Sequence, residues 1–141
     1  IPDPLTPMIE DDQQRVATEP FIEALRETLD ELGGETIYIA SSDLSHVGPQ
    51  FGEPRTVDAQ RRTEVEQHDR EMLGKFLSGD VDSFLSAMEW NKNPTRWCSI
   101  GNMSAMLRLA QPSDIELIDY RQAVDEQGYC LVSSIAAALY R

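Results

Sequence analysis

The run Ile37-Tyr38-Ile39-Ala40, set between Gly33-Gly34 and a sharply polar loop, constrains the fold more than any other stretch of the chain. β-Branched and aromatic residues favour an extended backbone. A strand with almost no polar face is buried on both sides, inside a sheet that helices cover. Thr36–Ala40 is therefore read as a buried strand of an α/β protein.

The flanking segments carry helical spacing. Phe21, Ile22, Leu25, Leu29 and Leu32 recur on one face after a capping Thr18, and Gly33-Gly34 stops that helix. Thr56 or Asp58 opens a long helix to about Leu77, with Val65, Met72, Leu73, Phe76 and Leu77 as its apolar face and Gly79 ending it. Asp80 caps a shorter helix through Phe84, Leu85 and Met88. Residues 91–97 form a loop, and Asn102 to Ala110 forms a further helix. Two strands close the chain, Ile115–Ala123 and Tyr129–Leu139, joined at hairpin distance through Gly128. Residues 1–17, with proline at positions 2, 4 and 7, read as an extended arm or loop before a domain at 18–141. Three strands and four helices make a poor closed sheet, so the sheet is expected to continue in chain not included here.

Length and charge exclude several classes of function. A chain of 141 residues is one domain or part of one. Twenty-five acidic against 12 basic residues give a formal net charge of −13, which repels phosphate backbones and anionic lipid, so neither nucleic acid nor membrane is an expected partner. The longest mostly apolar run, Tyr129 to Tyr140, is much shorter than the roughly 20 residues of a membrane helix. Two cysteines, Cys98 and Cys130, are too few for a disulfide framework, and they read as reduced thiols of a cytoplasmic protein.

The polar loop after Ala40 holds the first chemical candidates. Ligands of open α/β sheets sit beyond the carboxyl ends of strands. Asp43 and His46 lie there, three residues apart, suited either to metal ligation or to carboxylate–imidazole acid–base work. The competing explanation is local: Ser41, Ser42 and Asp43 cap turns by accepting from backbone amides. Cys98, in "RWCSIGN", stands near a helix start, where a thiol is acidified, or else it is a small buried hydrophobe. Cys130 reads as a packing residue. His68 and Asp69 border the apolar face of the long helix and read as hydrogen-bonding residues between elements. Trp90 and Trp97 read as anchors at the core's edge. No phosphate-binding glycine loop, HExxH or GxSxG string is present in the sequence.

Four stretches together resemble the Memo family: "YIASSDLSHVGPQFG" at 38–52, "HDREMLGKFLSGDVDSFL" at 68–85, "WCSIGNMSAML" at 97–107 and "IELIDYRQAVDEQGYCLVSSIAAALY" at 115–140. The resemblance implies a mixed sheet flanked by helices, similar to the catalytic subunit of class III extradiol dioxygenases, of which this chain is the C-terminal part. Those enzymes hold non-haem Fe(II) through two histidines and a carboxylate. Memo-like proteins have a comparable cleft with altered ligands, and by position Asp43, His46 and Cys98 are this sequence's share of it. Two upstream histidines of the family have no counterpart here. "WCSIGN" also places Ser99 and Ile100 between Cys98 and Gly101, where the family's turn is tighter.

The resemblance implies two kinds of function. One is metal-dependent oxidoreductase chemistry on a small molecule, with Fe or Cu at His46, Cys98 and Asp43. The other is a non-catalytic module, a vestigial active site that binds a protein or peptide. Animal Memo proteins are associated with phosphotyrosine peptides. Arg55, Arg61 and Arg62 are the only dense basic group that could meet one. The implied partners are the missing N-terminal half or a second copy, together with the radical-SAM proteins that bacterial members accompany.

Overall fold

The structure, a computed structural model, describes residues 18–141, so the expected arm at 1–17 lies outside the described residues. Helix α1 spans Thr18–Leu32, strand β1 His46–Val47, helix α2 Ala59–Leu77, α3 Val81–Trp90 and α4 Ile100–Ala110, and strands β2 and β3 span Asp114–Val124 and Leu131–Tyr140. The α/β class holds, and the described sheet is antiparallel throughout, in the order β1-β3-β2.

Capping chemistry sets the helix starts. The Asp58 carboxylate accepts from the Arg61 amide at 2.7 Å and opens α2, and Asp80 accepts from the Ser83 amide at 3.0 Å and opens α3. Helix α4 begins at Ile100, two residues before the expected Asn102. Its C-terminus turns at Gln111, in the left-handed region with φ 44°. Val65, Met72, Leu73 and Phe76 of α2 are buried. With Phe84, Met88, Trp97, Met103 and Leu107 most of them form the main core, against which Ile115, Tyr120, Ile135 and Leu139 of the hairpin pack. Trp97 belongs to that core at 3 % exposure, whereas Trp90 stands 86 % exposed and anchors nothing.

The hairpin register slips between Leu117 and Asp119. Ile118 faces no partner and is exposed. Before the slip Ile115 and Leu117 are the shielded side chains of β2; after it they are Tyr120 and Gln122. A strand side chain alternates faces at every residue, so this bulge is what brings the Tyr120 phenol round to the helices.

The expected buried strand at Thr36–Ala40 is not a strand here. The segment forms no ladder, Ile37 and Ile39 are each 86 % exposed, and residues 36–42 make no backbone hydrogen bond among the described residues. Its apolar side chains have the composition of a buried strand, but no second strand among the described residues reaches its backbone. Pairing begins only at Leu44, whose amide donates to the Ser133 carbonyl at 2.8 Å, followed by the His46–Val132 and Val47–Leu131 pairs of β1 and β3. Beyond Ser134 the outer edge of β3 also has no strand paired to it among the described residues. Between it and the 36–40 segment lies a mainly apolar cavity of about 530 Å³, lined by Met103, Met106, Ile135, Leu139 and Arg141 among others, with no acidic side chain among its described lining residues.

Candidate functional site

Asp43 and His46 sit where the extended segment joins the sheet. The His46 amide donates to the Thr95 carbonyl at 2.7 Å, and the ring nitrogen Nδ1 lies 3.0 Å from the Leu44 carbonyl and 3.2 Å from that of Arg96. Carbonyls only accept, so Nδ1 carries a proton, and Nε2 is the nitrogen turned away from the backbone and open to a metal or a proton. Phe51 meets the ring edge-on at 5.2 Å. Nε2 faces the Asp43 carboxylate, Oδ2, at 3.8 Å; the histidine side chain is 18 % exposed and the aspartate 56 %.

The Cys98 thiol donates to the Asp43 backbone carbonyl at 3.3 Å and is exposed. The three expected residues are thus brought together from two separate segments. Among the described residues, however, no three His, Cys, Asp or Glu side chains gather into a group that could hold a metal ion. The chemistry of the pair does fit an ion. Two donors each roughly 2.0–2.2 Å from one metal lie at most about 4.3 Å apart, and the His46–Asp43 separation of 3.8 Å is inside that limit. His46 and Asp43 thus stand at a separation that one ion could span, with the Cys98 thiol beside them on the Asp43 carbonyl.

Composition and spacing did not point to the residues that hold this loop. Arg96 has φ 59°, in the left-handed region that non-glycine residues rarely adopt. Its carbonyl faces His46 Nδ1 while its guanidinium donates to the His46 carbonyl and to Glu53, each at 3.3 Å. Glu53 also takes a two-pronged bond from Arg61, at 2.7 and 3.2 Å. Burial raises the Glu53 pKa, but the bonds and charges of Arg61 and Arg96 outweigh it and hold the carboxyl below its ordinary value. Gly48, at φ 111°, lets the chain pass under the β2–β3 turn. A Cβ there would meet the Tyr129 carbonyl oxygen at 2.5 Å.

Under the loop lies a fully buried carboxylate. Asp69 Oδ1 accepts from Ser45 Oγ at 2.5 Å and Trp97 Nε1 at 2.7 Å, and Oδ2 accepts from Ser133 Oγ at 2.6 Å and the Tyr120 hydroxyl at 2.8 Å. Burial pushes the Tyr120 phenol well above its ordinary pKa, and the Asp69 charge adds to this. Asp69 is the inter-element hydrogen-bonding residue expected at that position. Its neighbour His68 is not: Nε2 is buried and has no hydrogen-bond partner among the described residues. Cys130 is a half-buried free thiol in the turn before β3, outside the strand in which it was expected.

Among the described residues no helix is long and apolar enough to cross a membrane. No curated protein matches the chain. The model of the Memo family, described as "Memo-like protein", matches residues 5–139, nearly the whole sequence, and the chain belongs to that family.

Proposed function

We propose that this chain forms one wall of an extradiol-dioxygenase-like cleft in which His46, Asp43 and Cys98 contribute to a metal site, for iron or copper, that acts on a small molecule. The observation that carries the reading is the His46 ring. Two backbone carbonyls engage Nδ1, and the free Nε2 points at a carboxylate. A histidine that only packed would need no such orientation, and metal-ligating histidines are held this way by their other ring nitrogen. Imidazole with thiolate suits copper or iron. Either metal, when bound, would supply one-electron and oxygen chemistry. This chain's own residues would orient Nε2, keep the Asp43 carboxylate beside it and present the Cys98 thiol. Because no group of three such donors gathers among the described residues, further donors would come from outside them.

The test is loading without oxygen, with Fe(II) or Cu(I), followed by gel filtration and elemental analysis. Metal retained by the native chain and lost in His46→Ala supports the reading. Equal retention in both, or none in either, removes it.

A second reading is favoured by one observation, the uncovered segment at 36–42 with its exposed Ile37 and Ile39. In that reading the cleft is vestigial and the protein binds an extended partner segment, whether from a missing N-terminal half, a second copy or a radical-SAM protein. A phosphotyrosine peptide is the weakest candidate. Arg55 and Arg61 are engaged by Glu64 and Glu53, and Arg62 lies against Gln122. Saturable partner binding unaffected by His46→Ala and by chelators would favour this second reading.

A further inference from the structure

The two halves of the candidate site reach it from places far apart in sequence, His46 at the start of β1 and Cys98 after the 91–97 loop. Each is preceded by a residue that bonds the same oxygen. Ser45, just before His46, donates to Asp69 Oδ1 at 2.5 Å, and Trp97, just before Cys98, donates to it at 2.7 Å through its indole N–H. The indole N–H is shared with Ser45 Oγ at 3.0 Å, closing a three-membered set. On the other oxygen, Ser133 donates at 2.6 Å while its Oγ accepts the Ser45 amide at 3.0 Å, tying the same residue to β3. Tyr120 fills the remaining position from β2.

We propose that Asp69 is the positioning residue of this site: one buried carboxylate sets the placement of both the His46 imidazole and the Cys98 thiol, through Ser45 and Trp97. A carboxylate suits the task because it only accepts, with two oxygens and about four lone-pair sites, so four converging donors can be satisfied at once. A neutral amide has two donors of its own and would oppose two of the four. Ionised acceptors also make shorter, stronger bonds than neutral ones. Asp69 is on α2, the longest described helix, with its apolar face locked in the core. The loop side chains are thus referred to the most rigid element nearby. The inference rests on the site proposed above, but its reporters need no metal.

The experiment uses the intact chain and reads each half separately. The His46 tautomer is followed by the imidazole nitrogen resonances, with His68 the only other histidine. The Cys98 thiol is followed by its rate of alkylation relative to Cys130, resolved by peptide mass. Asp69→Asn should release both: mixed His46 tautomers and a Cys98 rate changed about fivefold, the factor carried by one hydrogen bond. Ser45→Ala should move mainly the histidine signal, and Trp97→Phe, which keeps the ring and removes the N–H, mainly the thiol rate. Leu73→Ala, a cavity on the same helix, should lower stability and leave both reporters in place. The proposal is overturned if Asp69→Asn leaves both reporters unchanged, or if Leu73→Ala moves them equally. Should Asp69→Asn not fold, native values in both Ser45→Ala and Trp97→Phe overturn it. If the chain holds no metal and the reporters still respond, the metal reading fails and the positioning role stands.

Discussion

Two regions of the molecule behave in opposite ways. Residues 44–47 and the loop at 93–98 are buried or half-buried for the most part, bonded to β3, to each other and to Asp69. Residues 36–42 are more apolar in their first half, yet they lie extended without a backbone partner, and the isoleucines face solvent. Apolar side chains alone did not bury a strand. The segment that is held is the one whose backbone amides and hydroxyls found acceptors. Burying an extended chain requires its peptide groups to be paired, and among the described residues Ile37–Ala40 has no strand edge bonded to it.

The contrast gives graded expectations for unfolding in urea. Asp69→Ala leaves four converging donors without their acceptor and should lose about 4 kcal/mol or more, since a buried unsatisfied group costs about 1–3 kcal/mol. A loss below about 1 kcal/mol would mean that the hub is wet and the contrast false. Gly48→Ala should lose about 2 kcal/mol from the positive φ and the approach to the Tyr129 carbonyl. Glu53→Gln should cost about 1 kcal/mol at neutral pH. The Glu53 pKa is depressed in the folded state, so its contribution is present above the ordinary carboxylate pKa and is lost as pH falls through the lower folded value. The difference between native and Glu53→Gln should therefore shrink on acidification, and a constant gap would refute the ion-pair account. Ile37→Ser should stay within about 0.5 kcal/mol, as for an exposed site. A loss above about 1 kcal/mol would show that the segment is covered in solution and would sharpen the comparison into a partner search.

The helices were legible because their signals are local. Asp58 and Asp80 cap where the sequence places caps, and the apolar spacing of α2 matches its buried face. The hairpin was legible from two β-rich runs around Gly128, although β3 starts at Leu131 and leaves Tyr129 and Cys130 in the turn. Asp43, His46 and Cys98 could be singled out because their chemistry is rare and the surrounding strings are specific to a family. The supporting residues could not. Arg96 acts through a left-handed backbone and its carbonyl, a property that arginine as a residue type does not advertise. Glu53 acts by meeting Arg61 from α2 and Arg96 from a distant loop. Asp69 was recognisable as a bonding residue, but its four donors come from four separate segments, and only the tertiary fold brings them together. The strand at 36–40 failed for the converse reason: its local signal is correct for a paired strand, and pairing is not a local property.

The bulge at Ile118 fixes how this hairpin can change length. A strand reads its residues in pairs, and one residue gained or lost turns every later side chain to the opposite face. Because Ile118 is unpaired, β2 carries one residue beyond what its ladder uses. A chain shortened by one here would restore a regular ladder and still deliver the Tyr120 hydroxyl to Asp69. A chain shortened by one on the turn side of Tyr120 would turn the later side chains over and swing Gln122, whose amide donates to the Tyr120 hydroxyl, to the opposite face. In descendants of this sequence, then, single-residue deletions in β2 have one tolerated address, and it lies beside the residue that least needs to be there.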